Sequence, residues 1–169
     1  DLPSPNLPSG YEDYAKKNFE DESKRIITAF RNHPSIIQWV VFNEGWGQFD
    51  TERMTQIVIG EVGQSLVCCA SGWVDAPIGD IKDSHSYPNP SCPLDETRAG
   101  VCGEYGGITL KVQGHIWPGG DFQYTTVETG KDFTVLFNNL ADKVIDHYYY
   151  GLNAAVYTQL SDVEIEKNG

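Results

Sequence analysis

Two glutamates in this sequence stand in matching surroundings. The apolar run 36–42 is followed by Asn43 and then by Glu44. Glu104 likewise comes directly after an apolar run, which ends at Gly103. Glycine-rich sequence comes after each of them, which lets the backbone approach a ligand closely. Two carboxyl groups can cleave a glycosidic bond with retention when they lie ~5–5.5 Å apart, one as acid and base and the other as nucleophile. This is the chemistry that the pair could perform.

Helices and strands alternate along the sequence around these residues. Apolar side chains at helical spacing predict a helix from Tyr11 to about Asn32, where a proline prevents its continuation. A second helix follows Asp50, a suitable N-terminal cap, and a third begins near Lys131 and is stopped by Gly151. Short apolar runs predict five strands, over residues 36–42, 66–70, 81–86, 98–103 and 154–160.

This alternation predicts an α/β fold with a parallel sheet, whose ligand site lies at the C-terminal edge of the strands. A closed TIM (β/α)8 barrel has eight strands in ~250 residues. We therefore interpret residues 1–169 as one domain, the C-terminal part of such a barrel, a partial barrel of about strands 4 to 8. The chain begins with Asp1 rather than Met, so the other strands are expected upstream. Its proline-rich opening, residues 1–10, is typical of a loop.

Composition and charge restrict the possible partners. Lys and Arg number 12 against 24 Asp and Glu, and the formal net charge of -12 opposes binding to nucleic acid and to anionic lipid. No apolar run reaches the ~20 residues of a membrane-spanning helix. The four cysteines lack zinc-binding spacing, and we interpret most of them as buried apolar residues, with a Cys92–Cys102 disulfide as the alternative. The sequence leaves the compartment open.

The segments that carry the two glutamates resemble a known enzyme family. NHPSIIQWVVFNE, residues 32–44, resembles the acid/base strand of glycoside hydrolase family 2, and GEYGG, residues 103–107, resembles its nucleophile strand. ASGW, DIKDSHSYPNP and YTQLSDVEIEKNG are similar to the fifth, sixth and eighth barrel strands, in the same order. Residues 1–10 resemble the segment after the third strand, so the resemblance covers nearly the whole chain.

The resemblance implies a retaining β-glycosidase of the group that contains β-galactosidases, β-glucuronidases and β-mannosidases. It makes Glu44 the acid/base and Glu104 the nucleophile, with Asn43 bound to the sugar 2-hydroxyl and Tyr87 hydrogen-bonded to the nucleophile. The implied partner is a carbohydrate substrate, and no metal or organic cofactor is required. β-Sandwich domains and further barrel strands are implied upstream.

Other residues are candidates for contacts with the sugar. His85 lies two residues before Tyr87 and should face the same side of the strand, although a purely structural histidine is an equal alternative. Aromatic rings pack on the faces of sugars, which makes Trp46, Trp73 and Trp117 candidate platforms and core or loop packing the alternative. Trp117 is favoured because it lies just past the nucleophile. Weaker candidates follow the last strand: Gln159, Asp162 and Glu164.

Two other interpretations stay open. A non-catalytic carbohydrate-binding or inactive barrel fragment would keep the fold without the activity, and an endo-acting glycanase of the same clan would use the same carboxylates. The sugar is not identified, because NEGWGQ differs from the best-known β-galactosidases and the Asn-x-Lys motif of glucuronidases is not visible.

Overall fold

The computed structural model describes residues 11–120 and 122–169, which form a mixed α/β chain. The expected loop at residues 1–10 lies outside this range. The helices are α1 (Tyr11–Phe30), α2 (Thr51–Val62) and α3 (Gly130–Tyr149). The strands are β1 (Gln38–Asn43), β2 (Leu66–Ser71), β3 (Ile81–Ser86), β4 (Ala99–Gly106), β5 (Ile108–Leu110), β6 (Thr125–Val127) and β7 (Leu152–Thr158).

The main sheet confirms the predicted α/β class. It is a parallel sheet of five strands in the order β1, β2, β3, β4, β7, while β5 and β6 form a parallel pair of their own. The chain divides into two compact units, which are described separately. Unit 1 comprises residues 11–83 and 96–98, and unit 2 comprises the described residues of 84–95 and 99–169.

In unit 1, α1 and α2 hold strand β1 in place. Met54 of α2 is fully buried in a cluster that also contains Val41 and Phe42 of β1. Phe19 of α1 stacks on Phe42 with the ring centroids 5.4 Å apart. Burying a side chain of this size stabilises a fold by roughly 1.5–3 kcal/mol. The packing fixes β1 as far as Phe42, the residue before Asn43.

In unit 2, α3 covers the pair of strands β4 and β7. Leu140 of α3 is 1% exposed and packs with Cys102 of β4 and Leu152 of β7. The helix begins after Thr129, whose hydroxyl accepts a hydrogen bond from the backbone N–H of Asp132 at 3.1 Å, as a capping residue does. Strand β4 is therefore held from one face by α3 and from one side by β7.

The strand that carries the second glutamate is longer than predicted. We expected it to end at Gly103, but β4 continues to Gly106, so Glu104 lies inside the strand. The reason is its partner, since β7 extends the pairing through Tyr105 with Tyr157 and Gly106 with Thr158. Strands β5 and β6 were not predicted, because three residues are too few to show an alternating pattern.

Two smaller expectations also needed correction. Asp50 precedes α2, but its backbone is left-handed at a φ of 40° and its side chain makes no capping hydrogen bond. Its carboxylate lies 3.4 Å from Arg53 instead. Cys92 and Cys102 are free thiols, so the alternative of a disulfide between them is wrong, and Cys68, Cys69 and Cys102 are buried as predicted. Within the described ranges, no helix has both the length and the apolarity to cross a membrane.

Candidate functional site

Glu104 lies among polar side chains of unit 2. The Tyr87 hydroxyl donates a hydrogen bond to Glu104 Oε2, and Nδ1 of His85 lies 3.4 Å from the same oxygen. The side chain of His85 is 1% exposed, whereas that of Glu104 is 30% exposed and open to a ligand. Two residues that the sequence proposed for the site, Tyr87 and His85, thus both contact a third, Glu104.

The phenol of Tyr87 is held as a hydrogen-bond donor. Burial and the bond to Glu104 raise the pKa of Tyr87 well above its usual range, and a hydrogen bond with Thr158 offsets this only in part. The phenol therefore keeps its proton at neutral pH and uses it in the hydrogen bond to the carboxylate. Glu104 therefore has a permanent neutral donor on Oε2.

A second aromatic ring covers Tyr87. Tyr124, next to β6, stacks on it with centroids 3.7 Å apart and planes 4° apart. Phe122 packs edge-on against Tyr124, with centroids 5.1 Å apart at 83°. Tyr124 and Phe122 are 40% and 46% exposed, so this aromatic row leads from Glu104 to the surface of unit 2.

The glycine after β4 makes room for the two tyrosines. Gly107 has a φ of 64°, and a Cβ placed there would lie 2.5 Å from Tyr124 Cδ2 and 3.0 Å from Tyr87 Cδ1. Its backbone N–H donates to the Thr158 carbonyl at 2.7 Å, and its carbonyl accepts from Thr125 N–H at 3.3 Å. Both the backbone conformation and the neighbouring rings therefore require glycine here.

Glu44 belongs to unit 1 and directly follows β1. Its backbone is left-handed at a φ of 55°, and its N–H donates to the Ser71 carbonyl at 3.0 Å. A residue other than glycine is uncommon in this conformation, which occurs often at functional sites. Gly45 and Gly47 also have positive φ, and between them Trp46 is 67% exposed. The turn therefore presents Glu44 and Trp46 on a tightly folded loop.

Asn43 ends strand β1 opposite Ser71, the last residue of β2. The Ser71 hydroxyl donates to Asn43 Oδ1 at 2.7 Å. An amide whose oxygen is engaged in this way turns its two N–H donors elsewhere. Since Asn43 is exposed, these donors are suited to a hydroxyl group of a ligand.

The three candidate tryptophans all lie at the surface rather than in a core. Trp46, Trp73 and Trp117 are 67%, 51% and 53% exposed. Trp117 lines a cavity of about 410 Å³ in unit 2, together with Leu110, His115 and other residues after β5 and β7. Ligand pockets typically measure ~300–1,000 Å³, so the cavity has room for a sugar unit.

The polar residues after β7 have mostly local partners. Gln159 Nε2 donates to Asn168 Oδ1 at 2.7 Å, and Asp162 Oδ1 accepts from the N–H of Gly169 at 3.1 Å. Glu164 has a left-handed backbone at a φ of 53°. Gln159 is thus bonded within its own loop, whereas Asp162 also lines the cavity beside Trp117.

The group around Glu104 is suited to nucleophilic chemistry. It combines a partly exposed carboxylate, a phenol donor and a buried imidazole, and the carboxylate and imidazole are also the types of side chain that bind metals. No model of a known protein family matches this chain, and no curated protein matches it either. The function is therefore inferred from the geometry of the site and from its motifs.

Three residues of the site were missed in the sequence. Ser71 lies opposite Asn43 in the parallel register of β1 and β2, which the sequence alone does not fix. Phe122 and Tyr124 alternate just before β6, the spacing of residues on one face of a strand. No sequence signal, however, paired Tyr124 with Tyr87.

Proposed function

We propose that this chain belongs to a retaining β-glycoside hydrolase, with Glu104 as nucleophile and Glu44 as acid/base. The observation that carries the proposal is the contact of Tyr87 and His85 with one oxygen of Glu104. A nucleophilic carboxylate has to be fixed in orientation, and a phenol that donates to one of its oxygens holds it in place. Both contacts reach Oε2, which makes Oε1 the attacking oxygen.

The reaction runs in two displacements. Glu44 donates a proton to the leaving oxygen while Glu104 Oε1 attacks the anomeric carbon, and the bond to the leaving group breaks. Glu44 then takes a proton from water, which attacks the same carbon and releases Glu104. The mechanism requires ~5–5.5 Å between the two carboxyl groups in the working enzyme.

The carbohydrate substrate is bound by donors and aromatic rings. The N–H donors of Asn43 meet the 2-hydroxyl of the sugar, a contact that strengthens as charge develops on the ring. Trp117 and the cavity beside it accept a further part of the substrate, and the exposure of Trp117 supports this role.

We also propose the finer description of the fold, in which the parallel sheet forms about strands 4 to 8 of a (β/α)8 barrel. The parallel order of its strands supports this, as do the functional side chains Asn43 and Ser71 at strand ends. A crystal structure of the intact protein tests it. A sheet that stays open, with no further parallel strand next to β1 or β7, would contradict the barrel.

The roles of the two glutamates are tested in the intact protein with a panel of aryl β-glycosides. Glu104→Gln should abolish turnover of every substrate, because no glycosyl-enzyme forms. Glu44→Gln should spare the first step for very acidic leaving groups, and added azide should restore its rate with a β-azide product. Glu128→Gln, an exposed carboxylate before α3, is the matched control and should behave as the wild type.

The outcomes separate the alternatives. A β-azide formed by Glu104→Gln would reverse the two roles. Full activity in both variants would remove these glutamates from the reaction. Binding of β-glycosides without turnover by the wild type would instead favour a carbohydrate-binding protein.

A further inference from the structure

Tyr124 stacks on Tyr87 at shorter range than most aromatic pairs. Aromatic pairs prefer an offset or edge-on arrangement with centroids ~4.5–7 Å apart. Here the centroids lie 3.7 Å apart and the planes are within 4°, so the two rings stack face to face in close contact. The backbone next to Tyr124 is bonded in a way that holds this stack in place.

That backbone is the pairing of β5 with β6. Ile108 pairs with Thr125 directly next to Tyr124, and the Gly107 carbonyl accepts a hydrogen bond from Thr125 N–H at 3.3 Å. On its other side, Gly107 donates to Thr158 at 2.7 Å. The segment that carries Tyr124 is thus bonded to the end of the strand that carries Glu104.

We propose that Tyr124 is a positioning residue, which holds the Tyr87 hydroxyl on Glu104 Oε2. Without Tyr124, one face of the Tyr87 ring would be open to water and the ring could turn its hydroxyl away from the carboxylate. Tyr124 is 40% exposed and lies outside the buried cluster around Leu140, and its ring packs instead on Tyr87 and Phe122. The inference rests on the proposed hydrolase function for its kinetic consequences, but its geometric claim stands apart from it.

The kinetic test uses three variants of the intact protein. Tyr124→Leu should lower kcat on an aryl β-glycoside by ~10- to 100-fold, the effect of losing one hydrogen bond to a charged group, with little change in KM. Tyr124→Phe keeps the ring and should retain most of the activity. Tyr148→Leu, which removes a 67% exposed tyrosine from α3, is the matched control and should leave kcat unchanged.

A double-mutant cycle identifies the route of the effect. In a Tyr87→Phe background the hydroxyl is already absent, so Tyr124→Leu should cause almost no further loss. If Tyr124→Leu lowered kcat by the same factor in the Tyr87→Phe background as in the wild type, the proposal would be overturned. A raised KM with unchanged kcat would do so as well, since Tyr124 would then contact the substrate.

A crystal structure of the Tyr124→Leu variant decides the geometric claim without any activity. The Tyr87 hydroxyl should have left Glu104 Oε2, and an unmoved Tyr87 would overturn the proposal. If the wild type hydrolyses no β-glycoside, the hydrolase proposal fails while this structural result still stands. Should Tyr124→Leu not fold, a crystal structure of Tyr124→Ser provides the same comparison.

Discussion

Asn43 and Ser71 face each other at the ends of two parallel strands, and the Ser71 hydroxyl donates a hydrogen bond to Asn43 Oδ1 at 2.7 Å. The bond occupies the oxygen of the Asn43 amide and leaves its two N–H donors for other partners. A contact that reads a sugar hydroxyl depends on the orientation of the amide, because the oxygen and nitrogen of an amide have opposite hydrogen-bonding roles.

Ser71→Ala should therefore weaken the reaction through Asn43. We expect kcat/KM on a β-glycoside to fall by ~10-fold, about the effect of one misdirected hydrogen bond. The corresponding 2-deoxy glycoside has no hydroxyl at this position and should be hydrolysed at the same rate by the variant and the wild type. An equal loss on both substrates would show that Ser71 acts through the fold and not through Asn43.

The sequence could predict the group around Glu104 better than the surroundings of that group. His85 and Tyr87 are two residues apart, the spacing of one strand face, and both contact Glu104 although β3 ends at Ser86. Tyr124 was missed because the pairing of β5 with β6 brings it to Tyr87. These two strands are too short to leave a pattern in the sequence. Gly107 could be recognised as a flexible residue, but the rings it avoids belong to distant segments.

Trp117→Ala should affect binding rather than stability. The ring is 53% exposed, so its removal costs little packing, whereas a sugar unit in the adjacent cavity would lose its platform. We expect KM to rise by ~5- to 10-fold with an unchanged melting temperature. Trp117→Phe is the control and should recover much of the affinity. An unchanged KM in Trp117→Ala would remove this cavity from the substrate site.

The dependence of stability on pH should be set in part by Glu20 on α1. Hydrogen bonds from Lys24 and Arg53, each 2.7 Å long, lower the pKa of Glu20 from 4.5 to about 2. Because the folded pKa is depressed, the stabilisation is fully present above pH 4.5 and is lost as the pH falls towards 2.

Urea unfolding at pH 7 and at pH 3 measures this effect. Glu20→Gln should be less stable than the wild type at pH 7, and the difference should shrink at pH 3. Asp21→Asn is the matched control, since its pair with Lys17 is largely exposed and such pairs contribute little. If the difference in stability between Glu20→Gln and the wild type were the same at both pH values, the contacts with Lys24 and Arg53 would not lower the pKa of Glu20.

The last prediction separates backbone strain from crowding at the end of β4. Gly107 and Gly114 both have positive φ, 64° and 84°, but a Cβ at Gly107 would meet the rings of Tyr124 and Tyr87 while one at Gly114 would have nothing within 4 Å. Alanine at either position should cost ~1–2 kcal/mol through its backbone alone. The free energy of unfolding should fall further in Gly107→Ala than in Gly114→Ala. Only Gly107→Ala should also lower kcat, because the displaced tyrosines no longer hold Glu104. Chemical denaturation and steady-state kinetics of both variants give the two quantities. If both variants lost the same stability and kept a normal kcat, the rings of Tyr124 and Tyr87 would move aside without loss of free energy. The close packing at Gly107 would then have no part in the activity.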